Sequence, residues 1–342
     1  MKAGKVSENI LLRSVIKPVQ KTQTGNMIRS AGIGEDCAVF MSCNQISQYA
    51  NAIQTGVISC EGMAGCIFHS AVNTLAAGGA CVKGVLVSLL LPTSADERLL
   101  KDLMNEMIVI AKELSIEIAG GHTQVSKEVS SPVLTVTAFG ERICDHTSTG
   151  KKGDDKEKPL GNGIRKAMPG DDLVITKDIA LEGTYLLSQN AREKLLERYP
   201  ASMIDEAVLT RKELSVVPEA AVAASSGECA MHDASHGGIY TAMWEMAQAA
   251  GTGLEVELKK IPIRQQTVEI CDYLEINPYE LISGGSLLVA TPFGEKLCRS
   301  LKENGIEACV VGKVTADAGR VVLNGDERRY LEPFRGDSVI LN

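Results

Sequence analysis

The clearest periodic signal in the chain lies at Glu97–Leu114. There Leu99, Leu100, Leu103, Met107, Ile110, Ala111 and Leu114 share one face of an amphipathic helix, with Ser94 or Asp96 available as its cap. Before it, Val82–Leu91 is a near-continuous apolar run rich in β-branched residues, which predicts a buried strand ended by Pro92. Upstream, strands are expected at Cys37–Phe40 and Gln45–Gln54, a helix over 61–78, and a short helix near Asn9–Ile16. Downstream, Ile116–Ala119 and Pro132–Gly140 read as strands.

The periodicity stops at 145–170. The stretch GKKGDDKEKPLGNG is charged and Gly-rich and reads as a loop and linker; it lacks the order of a phosphate loop. Alternation then resumes. Strands are expected at Asp172–Thr176, Cys229–Met231, Leu254–Leu258, Leu287–Ala290 and Glu307–Val314. Helices are expected at 181–198, 202–213, Pro218–Ala224, 238–250, 264–274 and Gly294–Asn304. Strands alternating with helices in both halves predict mixed α/β domains. The division expected is an N-terminal segment 1–34, a domain 35–150, a linker 151–170 and a second domain 171–342.

Composition narrows the function classes. With 44% hydrophobic residues there is material for two cores, yet aromatics are only 4%, so stacking platforms for single-stranded nucleic acid are not expected. The formal charge of −8, with no basic stripe, also argues against nucleic acid. No apolar run is long enough to span a bilayer, and MKAGKVSENI has no apolar leader core. The ten cysteines form no CxxC and no zinc spacing, which suggests a cytoplasmic protein with reduced thiols; a redox role for one of them stays open.

Four polar clusters sit at the ends of apolar elements. Gly32-Ile33-Gly34-Glu35-Asp36-Cys37 offers two carboxylates, a pair that can hold Mg²⁺ and can equally be a solvated turn. In Ile118-Ala119-Gly120-Gly121-His122-Thr123-Gln124-Val125 a strand is expected to end in a Gly-Gly turn that projects His122 and Thr123, although a plain turn also fits. Met231-His232-Asp233-Ala234-Ser235-His236-Gly237-Gly238 leads into a helix whose free N–H groups would favour a phosphate, with Ser235 as a cap and His236 adding charge; an ordinary capped helix start is the alternative. Leu281-Ile282-Ser283-Gly284-Gly285-Ser286 precedes a strand.

The order of these motifs resembles the aminoimidazole ribonucleotide (AIR) synthetase superfamily, which includes selenophosphate synthetase, thiamine-monophosphate kinase and HypE. The pattern is most similar to an AIR synthase-related, HypE-like clade. That clade runs GIGEDAAV, NDVAxxGA, VVGGHTEVT, LEGT, SVVPEA, MHDPTEGG, LISSGALLIA. The chain has GIGEDCAV at 32–39, NTLAAGGA at 73–80, IAGGHTQV at 118–125 and LEGT at 181–184. It continues with SVVPEA at 215–220, MHDASHGG at 231–238 and LISGGSLLVA at 281–290.

The resemblance implies a PurM-like two-domain fold. Its α+β N-terminal domain would pair into a β-barrel across a homodimer, followed by an α/β C-terminal domain. It implies ATP with Mg²⁺ in a cleft between domains, and activation of an amide or acyl oxygen or transfer of a phosphoryl group. On that basis Glu35 and Asp36 would hold the metal. Asn73, Gly120, Gly121, His122 and Thr123, with Asp233, Ser235, His236, Gly237 and Gly238, would line the nucleotide site.

The chain also departs from the pattern. Gln54, Thr74 and His122 stand where ATP-using relatives have Asp, and Ala234 and His236 replace a Pro and an acidic residue. Loss of anionic oxygen ligands weakens Mg²⁺ binding. The expected function is therefore ATP-dependent chemistry with an altered metal site, in which His122, His232 or His236 replaces carboxylates. The alternative is a member without catalysis that binds a nucleotide or metabolite, or scaffolds a protein partner. A hydrogenase maturation role ranks below both, because HypE carries its carbamoyl group on a terminal cysteine and the last cysteine here is Cys309.

Overall fold

The computed structural model describes residues 8–21, 27–29, 32, 38–41, 47–143 and 164–332. Glu35 and Asp36 lie outside the described residues, as do 144–163, most of the expected loop and linker. The described end of that linker is fixed: Ile164 forms a parallel bridge to Cys229, and Arg165 pairs with Asp171 at 2.7 Å.

The first sheet contains β1 (Met27–Arg29), β2 (Ala38–Met41), β3 (Ser47–Val57), β4 (Cys81–Pro92), β5 (Glu117–Ser126) and β6 (Val133–Ile143), in the order β1-β2-β3-β6-β4-β5. Two helices accompany it, α3 (Met63–Ala77) and α4 (Glu97–Glu113). They follow a short N-terminal helical stretch, α1 (Glu8–Leu11) and α2 (Lys17–Gln20), joined by a π-helical turn. The amphipathic pattern of α4 is realised: Leu103, Met107, Ile110 and Ala111 are buried. Its cap is Asp96, whose side chain accepts from the Leu99 N–H at 2.8 Å.

The second sheet contains β7 (Asp172–Thr176), β8 (Ala230–Ala234), β9 (Gly253–Glu257), β10 (Ser286–Thr291), β11 (Ala308–Thr315), β12 (Arg320–Asn324) and β13 (Glu327–Tyr330), in the order β13-β12-β9-β11-β7-β10-β8. Its helices are α5 (Leu181–Asn190), α6 (Arg192–Leu196), α7 (Ala201–Val208), α8 (Val217–Ser226), α9 (Gly238–Ala250), α10 (Gln265–Tyr273) and α11 (Gly294–Glu303). β7 and β10 are almost wholly buried, as their continuous apolar runs require.

α3 joins the two halves. It lies on β3 and β6 on one side and on α8 and β8 on the other. A helix covered on both sides must be apolar or internally satisfied all round; α3 buries its residues from Ala64 to Ala77 apart from Ile67. One hydrophobic core accordingly runs from Phe68, Val72 and Leu75 through Val216 and Ala220 to Leu287 and Val289. No helix among the described residues is long and apolar enough to cross a membrane.

One expected turn is absent. The sequence reading ends a strand at Ala119 and places Gly120-Gly121-His122-Thr123 beyond it. Instead β5 runs through the motif to Ser126. The glycines serve the strand pairing: the β4–β5 register shifts at Val85/Leu86, and a side chain on Gly121 would collide with the Val87 carbonyl.

Candidate functional site

Asn73 and Thr74 of α3 both reach the second half of the chain. Asn73 is 1% exposed and grips the SVVPEA segment at both ends of its amide. Its Nδ2 donates to Leu214 O at 2.6 Å, and its Oδ1 accepts from Val216 N at 2.9 Å. One turn earlier, His69 is buried, and burial pushes its pKa down to about 4, with the Lys177 charge adding to the effect. Lys177 leaves the end of β7 and enters the same seam. Its Nζ pairs with Glu219 at 2.6 Å and donates to Glu213 O and Ser215 O at 2.8 and 2.7 Å.

Beside this clamp, a hydrogen-bonded chain crosses the seam. Gln54 Nε2 donates to Thr74 Oγ1 at 3.4 Å, and Thr74 Oγ1 donates to Asp233 Oδ2 at 3.1 Å. Gln54 and Thr74, two positions expected to be Asp in ATP-using relatives, thus form a neutral relay onto the Asp233 carboxylate.

Three turns converge on the same place. Ser283 ties them together: its Oγ accepts from Ala180 N at 2.9 Å, and its N–H donates to Ser235 O at 3.2 Å. The turn before α5 and the turn before α9 are therefore both anchored to the 281–286 loop. Gly237 and Gly238 have φ of 77° and 67°, and a side chain on Gly238 would meet the Tyr279 and Leu281 carbonyls. Glu182, at the start of α5, extends its carboxylate into the space a Gly284 side chain would occupy.

Glu182 is the residue that sequence reasoning missed. It is buried, and burial raises its pKa from 4.5 to about 7. His236 pulls the value down and Asp233 pushes it up, while Cys66 and the Gly284 backbone hydrogen-bond the carboxylate. The Cys66 thiol is raised well above its ordinary value by burial and then by Glu182 and Glu106. It is therefore a poor thiolate, and the open redox reading gains nothing from it. The available signal was LEGT itself, which places an acid in the first turn of an otherwise apolar helix.

The histidines offered as replacement ligands separate. His122 is exposed on β5, which packs on β4 and α4, and its ring lies 3.4 Å from Gln124 Oε1. His232 alternates with Asp233 on β8, so it points to the other face, where Nε2 meets Glu245 at 3.1 Å. Of the three, His236 is the one that acts electrostatically on Glu182. Gly120, Gly121 and Thr123 stay with His122 on β5, while Ser235, Gly237 and Gly238 lie in the turn before α9. Among the described residues, no group of three His, Cys, Asp or Glu side chains is arranged to hold a metal ion. Glu35 and Asp36, the pair expected to hold Mg²⁺, lie outside the described residues.

Comparison with known proteins agrees with this architecture. The sequence signature of the AIR synthase related protein N-terminal domain matches residues 33–142, and that of its C-terminal domain matches 168–324. A relative named carbamoyl dehydratase HypE, from Rhodobacter capsulatus, is 28% identical over 255 residues, covering 73% of this chain and 69% of that protein. Among solved structures, the HypE–HypF complex superimposes with a TM-score of 0.71 at 17% identity, over 94% of this chain and 99% of that chain. The hydrogenase maturation protein HypE in complex with ATP superimposes with a TM-score of 0.65 at 17% identity, over 97% and 96% of the two chains.

Proposed function

The chain belongs to the AIR synthase-related protein family, and from that premise we propose that it binds ATP at the α3 seam and uses it to activate, or phosphorylate, a small substrate. The observation carrying this reading is the meeting of three turns, two of them with Gly-Gly, beside the Asp233 carboxylate that Thr74 of α3 holds. Gly238, Gly284 and Gly285 let the turns pack closely on one another, and the first N–H groups of α9 favour an anion. A HypE structure solved with ATP supports a nucleotide ligand. Phosphoryl transfer needs positioning and charge stabilisation more than covalent chemistry. In this chain Asp233 is fixed by Thr74, and His236 acts electrostatically on the neighbouring Glu182. Because Glu35 and Asp36 lie outside the described residues, no step is assigned to a metal.

Calorimetry with ATP, with and without Mg²⁺ or Mn²⁺, tests the reading. Binding below millimolar concentration that persists in a chelator is expected; no heat at millimolar ATP would sink it.

A second reading is favoured by the Gln54–Thr74–Asp233 relay: a member that binds a nucleotide or metabolite, or scaffolds a partner, without turnover. Steady ATP hydrolysis, abolished by Asp36→Ala, would exclude it. A protein partner is part of this proposal, since a structural neighbour was solved as a HypE–HypF complex. A hydrogenase maturation role is the narrower form, and co-purification with maturation proteins would support it.

A further inference from the structure

Several hydroxyls around the α3 seam are spent inside the protein. Thr74 donates to Asp233 at 3.1 Å, Ser283 to Leu281 O at 2.8 Å and Ser286 to Asp178 O at 2.6 Å. Other helical hydroxyls turn back on their own helix. Thr184 donates to Ala180 O, Ser188 to Tyr185 O and Ser226 to Val222 O, each at 2.7 Å. Ser70 of α3 does neither. Its Oγ is closed to solvent and has no hydrogen-bond partner. Leaving a buried hydroxyl unpaired costs stability, so its presence calls for a role.

The helix register shows where Ser70 faces. Cys66, Ser70 and Thr74 are spaced four apart and lie one above the other on α3. Cys66 packs with Leu181 and Leu186 of α5 and with Leu214. Thr74 reaches Asp233 on β8. Ser70, between them, faces the place where the turns before α5 and α9 meet the 281–286 loop. The residue as a whole is 9% exposed although its Oγ is closed off, so other atoms of Ser70 form the open edge. With no hydrogen bond to break, rotation about χ1 turns the hydroxyl towards that opening.

α9, which is 13 residues long, starts from the same meeting point, and no side chain caps its N-terminus. A hydroxyl without an acceptor and an uncapped helix start are both donors, and a phosphoryl group offers acceptors. α3 carries no acidic side chain to repel such a group, and the Asp233 carboxylate across the seam is engaged by Thr74.

We propose that Ser70 is a ligand-contacting residue whose hydroxyl donates to a phosphoryl oxygen bound between α3 and the start of α9. The inference rests on the nucleotide reading above and deepens it by naming a contact for the phosphate. Gln54 and Thr74 are neutral where relatives have Asp, and Ser70 extends that neutral, hydrogen-bonding surface by one turn of α3.

The test compares full-length wild type with Ser70→Ala in a chelator. Melting temperature is read without ligand, and binding of ATP and of inorganic tripolyphosphate is read by calorimetry. Removing an unpaired buried hydroxyl from a helix should leave the melting temperature unchanged or raise it by a few degrees. The same change should weaken both ligands about tenfold, the loss of one hydrogen bond to a charged acceptor. A residue that only holds the fold would lower melting temperature and affinity together. A fall in melting temperature therefore overturns the proposal, because the hydroxyl then has a partner inside the protein. ATP binding that survives Ser70→Ala unchanged keeps the nucleotide reading and sinks this one. A loss confined to ATP, with tripolyphosphate unaffected, also overturns it, since the contact is then with the nucleoside. Wild type that binds tripolyphosphate but not ATP, and loses it in Ser70→Ala, upholds the Ser70 contact and sinks the nucleotide reading. Wild type that binds neither sinks both.

Discussion

Two buried groups near α3 make stability respond to pH in opposite directions. His69 has a folded-state pKa of about 4 against an ordinary 6.5, so the unfolded chain takes up its proton first as pH falls. Its contribution is complete above 6.5 and is lost on acidification, by about 2 kcal/mol between pH 7 and pH 5. Glu182 is raised from 4.5 to about 7, so there the folded chain holds the proton longer, and stability falls as pH rises through that window. Chemical denaturation of His69→Gln should lack the first slope, so that its stability falls faster than wild type between pH 5 and 7. Parallel curves for the two proteins would show that His69 is not held neutral. Asn73 gives a second check. Asn73→Ala orphans the Leu214 carbonyl and the Val216 N–H in a buried seam and should cost about 2–4 kcal/mol in urea denaturation.

Only part of this residue-level picture was legible in the sequence. Motif order brought Asp233, Ser235, His236, Gly237 and Gly238 to attention, and three turns do meet there. It gave no reason to single out Glu182, whose significance comes from what surrounds it: Cys66 from 116 positions earlier and His236 from the other side of the pocket. His122, His232 and His236 looked interchangeable as replacement ligands. Strand alternation and the edge position of β5 separate them.

At the scale of elements, local pattern was a good guide where one face is wet and one dry. α4 follows its period, and Asp96→Ala should cost about 1 kcal/mol by removing the bond to Leu99 N–H, measured as a shift in the denaturation midpoint. No change in midpoint would mean the cap is replaced by water. β12 and β13 escaped the reading because each is short, and β13 is exposed along its length. Their signal was nonetheless present: Gly325-Asp326 forms a two-residue loop between the paired Asn324 and Glu327, and Gly325 at φ 62° is the turn chemistry of a hairpin. β5 was misread for a related reason. Gly-Gly is the usual mark of a turn, and nothing local distinguishes a turn from a strand whose neighbour's carbonyl leaves no room for a side chain.

At the scale of the molecule, the first sheet has one face covered by α3 and another that none of the described residues covers. On β3, Ala50 and Ala52 are buried on the α3 side, whereas Tyr49, Ile53 and Val57 alternate with them and are 43%, 63% and 54% exposed. Leu86 on β4 adds to the same open face at 45% exposure, and β5 is the edge strand of the sheet among the described residues. Single exposed apolar residues need no explanation, but a row of them on adjacent strands marks an interface. A homodimer is therefore expected, with the open face of one protomer covered by that of its partner. A stable interface of this kind buries on the order of 1,200–2,000 Å² in total. Light scattering at micromolar concentration should give twice the chain mass, and Ile53→Lys should raise the dimer dissociation constant at least tenfold while leaving the α3 core intact. A wild-type monomer would refute this expectation. A dimer that ignores Ile53→Lys would move the interface to another surface. The outcome bears on the site as well: Gly120, Gly121, His122 and Thr123 lie on the strand at the border of that open face, so dimerisation is the route by which this motif could meet a nucleotide site.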